Sequence, residues 1–211
     1  MQSSEEQRLG VMWKFEDLAY KNFKLVAGVD EAGRGPLAGP VVAAACILPF
    51  AMLIEGLDDS KKLSPKKRQK LFEYLSKHDD IYFAYSVIDA SIVDEINIYE
   101  ATKVAMKEAI ITLQPAPDFV LVDGMALSVD GFDTQKLIKG DSLSCSIAAA
   151  SIVAKETRDA LMRQADEKWP EYGFAKNKGY GTKEHMKALE KYGPCPFHRK
   201  SFSPIKEMVL T

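Results

Sequence analysis

Two adjacent carboxylates, Asp30 and Glu31, end a short apolar run in this sequence, and a glycine-rich turn follows them directly. Neighbouring acids repel each other, and burial at the end of a strand makes it more costly to charge both. A divalent cation would reverse that cost, since Mg²⁺ prefers carboxylate oxygens and keeps waters or substrate phosphates as its other ligands. The turn Gly33-Arg34-Gly35 suits a phosphate, because glycines let backbone N–H groups approach an anion and arginine offers a planar fork. The stretch suggests a metal-bound phosphodiester, and the alternative is a solvated turn capped by two acids.

Two further acids stand where the chain predicts the same edge of a sheet. Asp123 ends the apolar run 119–122, which is typical of a central strand, and Asp141 precedes a helix predicted to start near Ser144. If the first and fourth strands are parallel neighbours, Asp30 and Asp123 lie side by side at their carboxyl ends, where α/β sheets form sites. The alternative for Asp141 is a helix N-cap. Three or four converging carboxylates without histidine favour two Mg²⁺ or Mn²⁺ ions about 4 Å apart.

Strands and helices alternate along the chain, as in an α/β protein. Apolar and β-branched runs predict strands that end at Glu31 or span 41–48, 81–88, 119–122 and 132–138. The short turn between the first two predicts an antiparallel hairpin. Helix starts are predicted at Ser64-Pro65, at a Ser91–Asp94 capping box, near Ser144 and near Thr182. Strand periodicity directs Asp30 and Glu31 to opposite faces, so either the strand bends or one acid contributes less directly.

Within the second of these helices, which should stop before Pro115, Asn97 is expected to be an ordinary surface residue. Residues 1–24 are polar with scattered aromatic side chains, and they predict a short lead-in helix without identifiable chemistry.

Composition limits the class of protein. The chain has 211 residues, of which 46% are hydrophobic and 27% charged, enough for one domain with a hydrophobic core. A net charge of −2 does not by itself indicate a nucleic-acid-binding protein. Three cysteines without CxxC spacing argue against a disulfide framework and structural zinc. A polar N-terminus and the lack of a long apolar run predict a soluble, cytoplasmic protein that does not bind membranes.

Basic residues cluster after the second strand, where six of the ten residues from 61 to 70 are Lys or Arg. Lys61 and Lys62 precede the helix on a loop and are expected to reach a ligand, whereas a solvated helix face is the alternative. Together with Lys155 and Arg158 on a later helix, they are expected to make phosphate contacts that do not depend on sequence.

These motifs resemble the ribonuclease HII family from about residue 26 to 202. The matching segments are Val-Asp-Glu-Ala-Gly-Arg-Gly-Pro-Leu-Ala-Gly-Pro over 29–40, Asp-Ser-Lys-Lys-Leu over 59–63, Asp123-Gly124, Gly140-Asp141, Ser-Ile-Ala-Ala-Ala-Ser over 146–151 and Gly-Tyr-Gly-Thr over 179–182. The resemblance implies a ribonuclease H-like α/β fold, a mixed five-stranded sheet flanked by helices with additional C-terminal helices. It divides the chain into a lead-in segment, 1–24, and a catalytic domain, 25–211, whose helical extension begins at about 182.

The resemblance also implies an activity. It is hydrolysis of the RNA strand in RNA/DNA hybrids and cleavage 5′ of single ribonucleotides in duplex DNA, by a two-metal mechanism that leaves a 5′-phosphate and a 3′-hydroxyl. By this resemblance the catalytic acids and metal ligands are Asp30, Glu31, Asp123 and Asp141. The elements that contact the ribose 2′-hydroxyl, nearby phosphates and the next sugar are Gly33, Arg34, Gly35 and Tyr180. The enzyme is expected to act as a monomer.

The sequence departs from the family pattern at Leu143, Glu156 and Asn177. Two other functions stay open at this point: a metal-dependent DNA junction nuclease on the same fold, and a hybrid-binding protein without catalysis. A nucleotide-binding module is excluded, because the glycine-rich turn does not form a GxxxxGK[ST] loop.

Overall fold

A mixed five-stranded sheet forms the centre of the fold in this computed structural model, which describes residues 3–209. The strands are β1 Val26–Ala32, β2 Val41–Ile47, β3 Tyr82–Ile88, β4 Phe119–Asp123 and β5 Asp133–Leu137. The helices are α1 Ser4–Met12, α2 Lys14–Ala19, α3 Pro65–Lys77, α4 Ala90–Ile96, α5 Ile98–Thr112, α6 Cys145–Lys168, α7 Phe174–Asn177, α8 Lys183–Tyr192 and α9 Ile205–Val209. The implied α/β architecture is confirmed. Residues 1–2 of the lead-in segment and 210–211 of the C-terminal extension lie outside the described residues.

The strand order is β3-β2-β1-β4-β5, and the pairing of β1 decides where the acids lie. β1 and β2 pair antiparallel, as the short turn predicts, while β1 and β4 pair in parallel. The parallel register ends at Val29 opposite Val122, so Asp30 and Asp123 follow at the same edge of the sheet. The predicted neighbourhood of the first and fourth strands is therefore confirmed.

Helices cover both faces of the sheet. Alternate residues of β2 face α6 on one side, where Val42, Ala44 and Cys46 pack with its small side chains, and face α5 on the other. Gly28 on β1 allows α6 to approach closely, because a Cβ there would collide with the backbone of Ile147. This close contact sets the start of α6, and with it the preceding turn that carries Asp141, against the end of β1.

The N-terminal segment forms two short helices, and both are packed against the main body of the protein. Leu9, Met12 and Trp13 are buried in the same core cluster as β2 and α6. The Trp13 indole also donates a hydrogen bond of 2.9 Å to the carbonyl of Met52. Within residues 3–209, no helix combines the length and apolar character needed to cross a bilayer.

The predicted capping box at Ser91 is wrong. The N-cap of α4 is Asp89, two residues before Ser91, and the helix spans Ala90–Ile96. Asn97 then adopts a φ of 67°, which Asn tolerates better than most residues, and its side chain caps α5 by accepting the N–H groups of Tyr99 and Glu100. Asn97 therefore separates two helices where one was predicted.

Candidate active site

Three carboxylates meet at the edge of the sheet. Asp30 ends the buried part of β1, Asp123 ends β4, and Asp141 lies in a short 3₁₀ turn between β5 and α6. Each offers a carboxylate oxygen, and these oxygens lie within 4.8 Å of one another. Asp30 is 2% exposed and Asp141 6%, so two of the three acids are largely shielded from solvent.

Backbone hydrogen bonds orient two of these acids. The N–H of Gly140 donates to Asp123 Oδ1 at 2.6 Å, and the N–H of Glu31 donates to Asp30 Oδ1 at 2.7 Å. A Cβ at position 140 would lie 2.5 Å from Ile147 Cδ1 and 3.2 Å from Asp123 Oδ1, so a larger residue there would displace the Ile147 side chain and crowd this carboxylate. Gly140 thus ties the turn that carries Asp141 to the end of β4.

Burial and mutual repulsion disfavour the charged forms of these acids. Burial raises the pKa of Asp30 well above its usual range, and the charges of Glu31 and Asp123 add to this. Burial likewise raises the pKa of Asp141, with repulsion from nearby acids added and the charge of Lys61 opposing. A hard divalent cation would compensate both the burial and the repulsion, and the all-carboxylate donor set without histidine suits Mg²⁺ or Mn²⁺.

Glu31 stands apart from the three-acid group, as strand alternation predicts. Its Oε1 lies 3.4 Å from Nη1 of Arg34 in a partly exposed ion pair. Burial raises its pKa, the charge of Arg34 lowers it, and the charge of Asp123 raises it again. Glu31 therefore remains within electrostatic reach of the group, and its role as a metal ligand stays a prediction.

The two loop lysines border the acids. Lys61 Nζ lies 3.6 Å from Asp141 Oδ2, and its side chain is 72% exposed. Lys62 Nζ bonds Asp58 Oδ1 at 3.1 Å and Ser142 Oγ at 3.0 Å, next to Asp141 in the 3₁₀ turn. Lys61 thus lies beside Asp141, and Lys62 beside the turn that carries it, while their contact with a phosphate stays a prediction.

The glycine-rich turn and Tyr180 also come together, although they are about 145 residues apart in the chain. A Cβ built on Gly35 would lie 3.8 Å from Cε1 of Tyr180, whose residue is 49% exposed. The N–H of Leu37 donates to the carbonyl of Gly179 at 2.8 Å and holds the two loops side by side.

Lys155 and Arg158 lie farther from solvent than expected. Lys155 Nζ forms an ion pair of 2.6 Å with Asp159 Oδ1. Arg158 is 1% exposed, and its guanidinium donates to the carbonyls of Ala38, Pro40 and Lys178. This geometry does not support a phosphate contact by Arg158, because carbonyl groups inside the protein occupy its donors.

Sequence reasoning missed two buried residues near the site, Arg199 and Glu16. Arg199 donates to four carbonyls of the segment 33–39, and Glu16 accepts hydrogen bonds at the start of α6. Arg199 stands in a basic segment near the C-terminus, and Glu16 in the lead-in segment. Nothing in either local pattern distinguishes a buried anchor from a surface charge.

Two of the family departures have a structural explanation. Glu156 accepts a hydrogen bond of 2.6 Å from Arg68 Nε. The side chain of Asn177 donates to the carbonyl of Tyr172 and accepts the N–H of Gly179, so it shapes the loop that carries Tyr180. Leu143 is partly exposed, and nothing in the structure explains it.

Comparison with known proteins gives a consistent result. The family model described as Ribonuclease HII matches residues 27–205. A curated Ribonuclease HII from Chlamydia muridarum is 56% identical over 212 residues, covering 99% of this chain and 97% of that protein. Among solved structures, the ribonuclease H2 from Pyrococcus horikoshii OT3 has a TM-score of 0.72 and 27% identity, over 88% of this chain and 97% of its own. The ribonuclease HII in the PCNA complex from Archaeoglobus fulgidus has a TM-score of 0.72 and 25% identity, over 85% and 96%.

Proposed function

Because the chain belongs to the ribonuclease HII family, we propose that it cleaves duplex DNA on the 5′ side of a single embedded ribonucleotide, as well as the RNA strand of RNA/DNA hybrids. Membership of the family supports ribonuclease H activity, which is a metal-dependent hydrolysis of phosphodiesters. The observation that supports the finer proposal most directly is the meeting of Asp30, Asp123 and Asp141 beside a glycine-rich loop and an exposed tyrosine.

The residues that would hold two Mg²⁺ or Mn²⁺ ions are Asp30, Asp123 and Asp141, with Glu31 as the fourth acid. When bound, the ions supply Lewis acidity, an activated water and charge compensation at the leaving oxygen. The protein's own contribution is to hold the acids in place through Gly140 and the backbone of Glu31. Lys61 and Lys62 would attract the phosphodiester to the rim of the site.

The substrate is selected by its sugar. The 2′-hydroxyl distinguishes RNA from DNA at a single position, and the peptide groups of Gly33, Arg34 and Gly35 offer fixed partners for it. The exposed ring of Tyr180 would pack against the following deoxyribose. With water as the nucleophile, the products would carry a 5′-phosphate and a 3′-hydroxyl.

The proposal includes a monomer that acts in the cytoplasm on nucleic-acid duplexes. All four acids, the glycine-rich loop and Tyr180 come from one chain, so the site needs no second copy. The three cysteines are free and buried, which suits a reducing compartment.

A cleavage assay on three matched duplexes tests the function. A DNA duplex with one ribonucleotide should be cut 5′ of the ribonucleotide with Mg²⁺ and left intact with EDTA. An RNA/DNA hybrid should also be cut. An all-DNA duplex of the same sequence should stay intact. Equal cutting of the all-DNA duplex would favour the junction nuclease, and binding without cutting under any divalent metal would favour the hybrid-binding protein.

A further inference from the structure

The guanidinium of Arg199 lies directly beneath the glycine-rich loop. Arg199 is 0% exposed, and it donates to the carbonyls of Gly33 at 2.6 Å and of Arg34, Pro36 and Gly39 at 2.9 Å each. All four of these acceptors are backbone oxygens of one loop. A buried charge normally has an ionic partner. Arg199 instead donates to four backbone carbonyls, which indicates that its side chain fixes the conformation of this loop.

Because the peptide bond is planar, these contacts also fix the direction of the N–H group on the other side of each peptide. In a trans peptide the C=O and the following N–H point in opposite directions. Since the carbonyls of Gly33 and Arg34 point to Arg199, the N–H groups of Arg34 and Gly35 point away from it. Both residues are exposed, and among residues 3–209 these two N–H groups have no acceptor.

A second buried arginine fixes the other end of the loop. Arg158 donates to the carbonyls of Ala38 and Pro40 and to that of Lys178, beside Tyr180. Gly33 has a φ of +99°, and a Cβ there would collide with the Arg158 side chain. The two arginines therefore hold the loop at both ends, and its peptide groups have little freedom to rotate.

We propose that Arg199 is a positioning residue that presets the N–H groups of Arg34 and Gly35 as a pair of donors for the ribose hydroxyl oxygen of the substrate. This inference rests on the proposed function and adds the residue that makes the discrimination possible. Donors fixed before binding need no reorganisation, which strengthens their interaction with the group they meet. Hydrogen bonds from a cation to the two carbonyls also polarise the same peptide groups and strengthen their donors.

The test compares binding of two duplexes in EDTA, where cleavage cannot proceed. One is a DNA duplex with a single ribonucleotide, and the other is the all-DNA duplex of the same sequence. The Arg199→Lys variant keeps the charge but cannot reach four carbonyls. Its preference for the ribonucleotide duplex should fall about fivefold or to unity, the equivalent of one hydrogen bond of about 1 kcal/mol.

The matched control is Tyr172→Phe, which removes a buried donor to a carbonyl, that of Gly193, in the same C-terminal region. It should keep the wild-type preference. A ratio of two affinities is insensitive to partial unfolding, because unfolded protein weakens both apparent affinities equally. An unchanged preference in Arg199→Lys would overturn the positioning role, whereas a wild-type protein without preference would overturn the proposed function itself.

If Arg199→Lys does not fold, amide hydrogen exchange of the wild-type protein provides the second test. The N–H groups of Arg34 and Gly35 should exchange rapidly in the free protein. They should become protected by the ribonucleotide duplex more than by the all-DNA duplex. Equal protection by both duplexes would show that these groups do not read the hydroxyl and would overturn the inference.

Discussion

At the residue scale, the metal-free site holds acids whose charged forms are disfavoured. Burial raises the pKa of Asp30, Glu31 and Asp141 above the ordinary carboxyl value. When the folded-state pKa lies above the unfolded value, the group contributes stability below the unfolded pKa and loses it as the pH rises through the folded one. The metal-free protein should therefore become less stable as the pH rises above about 4, the ordinary carboxyl pKa.

Asp30→Asn should abolish catalysis, and the metal-free variant should be at least as stable as the wild type. The substitution is nearly isosteric and removes the most deeply buried charge of the group. In EDTA its melting temperature should equal or exceed that of the wild type, with a weaker decline between pH 5 and pH 8. Thermal unfolding across that range and turnover with Mg²⁺ are the measurements.

The control for this variant is Asp130→Asn, which changes an exposed acid outside the three-acid group and should alter neither quantity. Near-normal turnover of Asp30→Asn with Mg²⁺ would refute the assignment of Asp30 as a metal ligand.

At the element scale, the start of α6 depends on the N-terminal segment. Ser144 caps this helix, and Glu16 of α2 accepts hydrogen bonds from Ser144 Oγ, Ser146 N and Ser146 Oγ at 2.6, 2.9 and 2.7 Å. Glu16 is 1% exposed, and burial raises its pKa. The helix follows directly on the turn that carries Asp141, so α2 supports one wall of the site.

Glu16→Ala should destabilise the protein by about 2 kcal/mol or more, because buried donors at the start of α6 lose their acceptor. Glu16→Gln keeps the accepting oxygen and should cost clearly less. Asp17→Ala, an exposed neighbour on the same helix, is the control. Urea unfolding measures the free energies, and a Glu16→Ala value within about 0.5 kcal/mol of the wild type, the usual range for a surface substitution, would contradict a supporting role.

At the scale of the whole molecule, the C-terminal part of the chain completes a site that begins in the N-terminal part. Gly39 N donates to the carbonyl of Phe197, and Ala38 forms an isolated β-bridge with His198. Together with Arg199, these contacts anchor the glycine-rich loop and bring Tyr180 over Gly35. A substrate sugar next to the scissile bond would therefore contact residues from both ends of the chain.

Tyr180→Ala should slow cleavage at a single ribonucleotide more than cleavage of an all-RNA strand in a hybrid. A ribose against the ring would leave a hydroxyl without a partner, at a cost of about 1–3 kcal/mol, so the wild-type ring should favour deoxyribose by roughly fivefold to 150-fold. The measurement is kcat/KM on both substrates, with Tyr180→Phe as the variant that keeps the ring. Equal losses on both substrates would mean that Tyr180 is a general substrate contact and does not recognise the sugar that follows the ribonucleotide.

Much of the site follows from local patterns in the sequence. Asp30 and Asp123 each end an apolar run, and the apolar runs predict the strands themselves. Ser64 and Thr182 were identified as helix N-caps because capping depends on neighbours a few residues away. Strand alternation directs Asp30 and Glu31 to opposite faces, and Glu31 lies outside the three-acid group. These features share one physical cause, namely that they depend on short stretches of backbone and their immediate side chains.

The buried polar anchors were decided only by the tertiary structure. Arg199 and Glu16 appear in the sequence as ordinary surface charges and Arg158 as a phosphate contact, yet all three side chains are buried. The two arginines are bound by backbone carbonyls, up to 166 positions away in the case of Arg199 and Gly33. Every residue carries a carbonyl, so no residue type marks such a partner. Only the folded chain determines which carbonyls converge on a guanidinium, and hence which arginines hold the loop and which remain free for a substrate.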